Sequence, residues 1–148
     1  MQTLIWRYFQ HSVFIRKERK MNSNWGKIVD LRKLSCFPLI SGVDDSRLSC
    51  VYPLMQLDVK NILKECTQYN VDVILFGSSI TMMCNVTSDI DICIRTASYD
   101  LDLFHELQRR IQLCSKHPCD VIYYNDLQES DKILEEIKTK GVVLQEGK

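Results

Sequence analysis

The sequence has few residues that break or bend a chain, with only 5 glycines and 3 prolines among 148 residues. Together with 45% apolar and 26% charged residues, this composition excludes a collagen-like, coiled-coil or wholly disordered chain. No apolar run approaches the roughly 20 residues of a membrane-spanning helix, so no membrane contact is predicted. We expect one domain, or at most two, with a core that needs no disulfide or metal.

The sequence also lacks net charge, because 19 basic residues balance 19 acidic ones. This argues against nucleic acid as the main partner. The balance conceals an asymmetry: residues 1–33 carry eight Lys/Arg and two Asp/Glu, whereas residues 34–148 carry eleven and seventeen. We predict a basic N-terminal extension with an irregular lead-in over residues 1–53, and a domain over residues 54–148. A solvated arm is favoured over a binding arm for the basic residues, and both interpretations stay open.

No convincing secretory signal begins the chain, because arginine and glutamine interrupt its apolar residues and no small-residue cleavage site follows. The seven cysteines are odd in number and include no CxxC pair, which favours free thiols in a reducing compartment over a disulfide framework. A cytoplasmic location is therefore expected. Cys114, His117 and Cys119 are close enough in sequence for a metal site, but the absence of a fourth nearby ligand disfavours one.

Hydrophobic periodicity predicts strands that alternate with helices. Helical spacing extends over residues 54–68, and a second helix begins near Asp100 or Asp102. A third helix is expected to start at Ser130 as N-cap and to end at Gly141 as the C′ residue. Strands are predicted over 71–76, 90–94, 120–124 and 142–144, and one or two helical turns over 78–84. The order predicts an α/β (α+β) fold with helices packed on a small mixed sheet.

Two carboxylates stand out in the second predicted strand. Asp89 and Asp91 alternate with isoleucines, so both point to one face, roughly 7 Å apart along the chain. Such a pair repels itself unless a cation lies between, and Mg²⁺ is the ion that carboxylate oxygens suit. A solvated strand face explains the same pattern, and on this motif alone it is the favoured interpretation.

Gly77 and Ser78 follow the first predicted strand directly. A glycine at that point permits a tight turn and a close approach of the backbone. The N–H groups of a helix that starts there, with the Ser78 hydroxyl, would bind an anion such as a phosphate. A structural turn is the more common reason for a Gly-Ser pair, so this signal is weak by itself.

The combination is more specific. Asp89 lies twelve residues after Gly77, and Asp120, at the head of the third strand, can bring a third carboxylate to the same edge. The segment LFGSSITMMCNVTSDIDICIR resembles the signature of the polymerase-beta-type nucleotidyltransferase superfamily. The small size resembles the minimal nucleotidyltransferases, and the resemblance covers roughly residues 55–145.

The resemblance implies a magnesium-dependent enzyme that moves a nucleoside monophosphate, AMP from ATP in the first instance, to a hydroxyl. Asp89, Asp91 and Asp120 would be the catalytic residues and would bind two Mg²⁺ ions, with Asp120 helping to deprotonate the acceptor. The nucleotide would be bound by Gly77, Ser78, Ser79 and Ser88. Small relatives of this kind include antitoxins that act on a HEPN-type partner protein, and a partner or a second copy of the chain would supply the missing wall of the cleft.

Two positions depart from the family pattern. Ser79 stands where many relatives have arginine, and Met82 stands where a second glycine is usual and is expected to crowd the turn. Arg95, Arg109 or Lys116 would have to replace the missing cation, although ordinary solvated charges explain them better. These departures keep an alternative open, in which the domain retains the fold but neutralises a partner by contact alone. Of Tyr123 and Tyr124, one is expected in the core and the other in the cleft.

Overall fold

The computed structural model describes residues 36–148, so the predictions for residues 1–33 lie outside the described part of the chain. Three helices and four strands follow one another: α1 (Pro53–Cys66), β1 (Val71–Phe76), β2 (Ile90–Thr96), α2 (Leu101–Cys114), β3 (Cys119–Tyr123), α3 (Lys132–Lys140) and β4 (Val142–Gln145). Short 3-10 turns cover Ser46–Cys50, Gly77–Ile80 and Tyr124–Asp126. No helix in the described range is long and apolar enough to cross a membrane.

The strands form one mixed sheet in the order β3-β2-β1-β4. β1 lies at the centre and pairs antiparallel with both β2 and β4. β2 and β3 are parallel, and α2 is the crossover helix that a parallel pair requires. The predicted mixed sheet and its edge strand at β4 are therefore confirmed.

Residues on alternate positions of the strands supply two separate layers of core. Val73, Leu75 and Ile92 face α1 and α2 in the larger layer. Ile74 and Cys93, on the intervening positions, pack with Ile137 of α3 in the smaller one. Within residues 36–148, the sheet is therefore covered by two helices on one face and by one helix on the other.

The boundaries of α1 and α2 follow from their sequences. Pro53 occupies the first turn of α1, where a missing N–H costs nothing. The side chain of Asp100 caps α2 by accepting a hydrogen bond from the backbone N–H of Leu103, 3.0 Å away. The start of α2 that the sequence indicated is thus confirmed.

Both ends of α3 differ in detail from the prediction. The N-cap is Asp131 and not Ser130, and the Asp131 carboxylate accepts from the N–H of Gln128 instead of from the helix. Gly141 ends the helix as predicted, but it is the C-cap residue and not the C′ residue, and its φ is −62°. A glycine is needed for space, because a Cβ would lie 2.3 Å from the Ile137 carbonyl oxygen.

Residues 36–52 pack against the sheet domain. Leu48, Cys50 and Val51 are buried in the larger core layer. The Gln56 side chain of α1 holds this segment by accepting from Ile40 N–H and donating to the carbonyls of Pro38 and Val51. The irregular lead-in therefore contributes to the core, and the boundary at residue 53 stays a prediction.

Candidate functional site

Gly77 marks the centre of the site because it lies between the end of β1 and a carboxylate. Its φ is +75°, a left-handed conformation that residues with a side chain adopt at a cost. A Cβ placed on Gly77 would lie 2.0 Å from Oδ2 of Asp91. The carboxylate of Asp91 therefore occupies the space that any side chain at position 77 would need.

Sheet register brings the two strand aspartates together. Asp91 pairs with Phe76 of β1 on one side and with Asp120 of β3 on the other. Paired residues point to the same face of a sheet, so both carboxylates lie on the face that carries α3. Asp89 is exposed and lies one residue before β2, two positions from Asp91. Asp91 therefore lies beside both Gly77 and Asp120, whereas the convergence of all three carboxylates stays a prediction.

The electrostatics of Asp91 show how close these charges are. Burial and the negative charges of Asp120, Asp89 and Glu136 raise the pKa of Asp91 to about 6. Within residues 36–148, no ion pair compensates Asp89, Asp91 or Asp120. The site is thus a concentration of negative charge that favours a cation.

Glu136 is a member of this charge cluster that sequence reasoning missed. It lies in α3 and is half-buried. The neighbouring Glu135 is exposed, and the sequence offers no signal that separates the two. Only the packing of α3 on the sheet decides which glutamate faces the carboxylates.

The residues present suit a hard divalent cation in their chemistry. They offer carboxylate oxygens and an uncompensated negative charge, which are what Mg²⁺ binds. No three Asp, Glu, His or Cys side chains between residues 36 and 148 form a ready-made metal-binding group, however. The side chains present therefore suit Mg²⁺ in their chemistry, and their coordination of the ion stays a prediction.

The serines expected to bind the nucleotide are placed differently from one another. Ser78 is half-buried, next to Gly77. Ser79 is 0% exposed, and its hydroxyl lies 3.5 Å from the carbonyl of Phe76, so its side chain is not accessible to a phosphate. Ser88 accepts from the N–H of Asn85, which closes the loop before Asp89.

The segment after Gly77 forms one four-residue 3-10 turn, Gly77–Ile80, which agrees with the lower number of the one or two helical turns predicted but ends before residue 84. The loop that follows exposes three apolar side chains, those of Met82, Met83 and Val86. Met82 is 75% exposed, so the expectation that it crowds the turn is wrong. The space beside Gly77 is instead filled by Asp91.

The cations considered as replacements for the family arginine lie apart from the carboxylates. Arg109 bonds Glu106 on α2, on the opposite face of the sheet. Arg95 lies at the far end of β2, where it approaches Asp72 and the ring of Tyr124. Lys116 is exposed in the loop before β3.

The remaining sequence candidates also have definite places. Tyr123 is buried in the larger core layer, whereas Tyr124 lies on the face with the carboxylates, as the alternation predicted. All seven cysteines are free thiols. The ring Nδ1 of His117 lies 2.6 Å from Asp58 Oδ2, and Cys114, His117 and Cys119 do not form a metal-binding group within residues 36–148.

Comparison with known families finds a family model that matches most of the described residues. The family described as the central palm domain of mitochondrial-like poly(A) RNA polymerase matches residues 51–141. The matched segment includes Gly77, Asp89, Asp91 and Asp120. No curated protein sequence matches the chain.

Solved structures with a similar fold come from toxin–antitoxin complexes. A chain of the MntA-HpeT complex in mutant form superimposes with a TM-score of 0.50 and 19% identity, over 62% of this chain and 74% of that one. A chain of the tri-AMPylated Shewanella oneidensis HEPN toxin in complex with MNT antitoxin gives a TM-score of 0.47 and 21% identity, over 62% and 72%. At these identities the likeness concerns the fold.

Proposed function

The chain belongs to the family of the mitochondrial-like poly(A) RNA polymerase central palm domain, a polymerase-beta-like nucleotidyltransferase family, and from this we propose that it transfers AMP from ATP to a hydroxyl acceptor. One observation carries the proposal. The glycine turn and two strand carboxylates of the family motif meet at one point, with Asp91 against Gly77 and in register with Asp120.

Asp89, Asp91 and Asp120 would hold magnesium, and two ions are the expected number. When bound, the metal makes the acceptor hydroxyl more acidic and neutralises the charge on the departing pyrophosphate. Gly77 and Ser78 would admit the phosphate chain, because the absence of a Cβ lets the backbone approach closely. Asp120, which is exposed at the sheet edge, would help to accept the proton of the acceptor hydroxyl.

We propose a partner protein of the HEPN type as the acceptor. The fold likeness to chains of toxin–antitoxin complexes supports this choice. The described domain is small, and the carboxylate face beside α3 is partly uncovered, so a partner surface could complete the cleft. The chain would then act as an antitoxin that modifies its toxin.

The test uses ATP labelled at either the α- or the γ-phosphate, with Mg²⁺ and a co-purified partner. Transfer of the α-label but not of the γ-label would identify nucleotidyl transfer. Replacement of Asp91 by Asn should reduce transfer by about a thousandfold, because a lost metal ligand forfeits several kcal/mol. Asp44→Asn, at an exposed carboxylate of the lead-in, is the matched control and should leave transfer unchanged.

A partner-binding protein without turnover is the second candidate. The lack of a ready-made metal group in the described range and the serine in place of arginine at position 79 favour it. Calorimetry separates the two functions. Partner binding without any heat of binding for Mg²⁺–ATP would support contact alone, whereas nucleotide binding that Asp91→Asn abolishes would support the enzyme.

A further inference from the structure

A buried carboxylate outside the candidate site ties α1 to the loop that enters β3. Among the buried residues of the segment 36–148, Asp58 is the one that is charged, and its side chain is only 4% exposed. Removing a carboxylate from water is costly unless hydrogen bonds replace the lost hydration. Nearby groups are therefore expected to donate hydrogen bonds to the Asp58 carboxylate.

The partners of Asp58 all come from the loop between α2 and β3. Its Oδ2 atom accepts from the backbone N–H of His117 at 2.9 Å and lies 2.6 Å from the ring Nδ1 of the same residue. The Ser115 hydroxyl lies 3.2 Å from this oxygen and 2.7 Å from the His117 carbonyl. The loop is thus fixed to the middle of α1 by several bonds to one oxygen.

The end of this loop sets the pairing of the two strands that carry the carboxylates. The carbonyl of Pro118 accepts from the N–H of Ile90, the first residue of β2, at 2.9 Å. Two residues later, Asp120 stands opposite Asp91. Any displacement of the loop is therefore passed along the chain to Asp120.

We propose that Asp58 and His117 are positioning residues, which hold the loop so that Asp120 stays in place beside Asp91. The effect of this positioning on catalysis rests on the proposed function. Neither residue needs to touch the substrate. A tie that served stability alone would have no reason to act at the entry to β3 more than elsewhere along α1.

The test compares variants that remove the tie with one that keeps it. Asp58→Asn and His117→Leu remove the charged acceptor or the ring donor, whereas His117→Asn retains an N–H at the position of Nδ1. Asn125→Ala is the matched control. The Asn125 side chain bonds both backbone groups of Thr96, so it joins the same strands at their opposite end.

The first measurement is hydrogen exchange at the Ile90 amide, which needs no substrate. Loss of the tie should speed exchange there by about tenfold in Asp58→Asn and His117→Leu, because the Pro118 carbonyl is no longer held. His117→Asn and Asn125→Ala should exchange as the unaltered protein does. Unchanged protection of Ile90 in the first two variants would overturn the proposal.

The second measurement is the split between kcat and KM for AMP transfer. In Asp58→Asn and His117→Leu, kcat should fall about tenfold while the KM for ATP changes less than about twofold, because the Gly77 turn follows β1 and is not part of the tied loop. An equal fall of kcat in Asn125→Ala would show that the bonds between Asp58 and His117 contribute only to stability, and it would refute the positioning role. If the unaltered protein transfers no AMP, the proposed function fails, and the exchange at Ile90 decides the positioning role by itself.

Discussion

Gly77 and Asp91 occupy one small volume, and each limits what the other position can hold. The left-handed φ of Gly77 disfavours residues other than glycine. The Asp91 carboxylate also fills the space that any side chain at position 77 would need. Asp91 in turn carries the cost of burial beside other negative charges. Both residues are therefore better explained by what they would bind than by what they contribute to stability.

Gly77→Ala is expected to destabilise the domain by about 2 kcal/mol or more, from the left-handed conformation and from displacement of Asp91. AMP transfer should be lost at the same time, because the displaced carboxylate is one of the proposed metal ligands. Denaturant unfolding and the transfer assay measure the two effects. Gly42→Ala is the control: Gly42 has a φ of +85° but open space around it, so only the conformational cost, about 1 kcal/mol, should appear.

Asp91→Asn is expected to stabilise the metal-free protein by roughly 1–2 kcal/mol at pH 7.5, because the charge that is buried and repelled disappears. A raised pKa means that the fold disfavours the ionised form, so this gain should shrink as the pH falls through 6 and vanish below about 4. Urea unfolding in EDTA at several pH values measures it. A gain of equal size in Asp44→Asn would show that the effect is not local.

At the scale of residues, the sequence predicts a turn at Gly77 and a shared sheet edge for Asp91 and Asp120, because glycine turns and strand alternation leave clear patterns. The sheet register agrees with these positions, and the roles of the residues stay a prediction. Glu136 and the burial of Ser79 were not predictable, because both depend on how separate elements pack. A four-residue turn buries Ser79, and a helix from the end of the chain brings Glu136 to the carboxylates.

The elements hold one another through a few buried polar ties as well as through apolar packing. Gln56 joins α1 to the lead-in, and Asp58 joins it to the loop before β3. Hydrophobic periods of 3.6 and 2 residues predict the helices and strands, and the elements of the structure confirm them. The ends were less predictable, as at Ser130 and Asp131, because two good capping residues stand side by side.

The tie at Asp58 predicts a dependence of stability on pH. Burial alone would raise the pKa of Asp58, but hydrogen bonds from His117, Lys116 and Ser115 outweigh it and lower the pKa below its usual value. The folded state therefore favours the carboxylate, and this stability is present above about pH 4 and is lost as the pH falls through the lowered pKa.

Asp58→Asn should consequently lose about 2 kcal/mol of unfolding free energy at neutral pH and lose little more on acidification. Urea unfolding of the variant and of the unaltered protein at pH 7, 4 and 3 measures how much unfolding free energy each protein loses on acidification. Parallel curves over this pH range would contradict the lowered pKa of Asp58.

The whole domain consists of a sheet with two unequal layers and a lead-in that closes the larger one. Residues 36–52 supply buried side chains to that layer, including Val43, Leu48 and Val51. Turn signals in the sequence marked this segment as irregular, which it is. Its burial was not predictable, because irregular backbone leaves no periodic pattern of apolar residues.

Two truncations test where the domain begins. The fragment 36–148 should fold with stability close to that of the full chain, because it contains the described core. The fragment 54–148, cut at the boundary that the sequence predicts, should unfold or aggregate, because it loses several buried side chains worth about 2 kcal/mol each from a total of only 5–15 kcal/mol. Circular dichroism and thermal melts measure both. A cooperative melt of the shorter fragment at the temperature of the longer one would place the boundary at residue 53.

The three strands that bear the site are not equally secured. β1 and β2 each have neighbours on both sides, but β3 is an edge strand that pairs within the described sheet only with β2. Partial opening from an edge requires only a fraction of the free energy of global unfolding. Fraying of β3 would therefore separate Asp120 from Asp91 at a lower cost in free energy than global unfolding, while the rest of the domain stays folded.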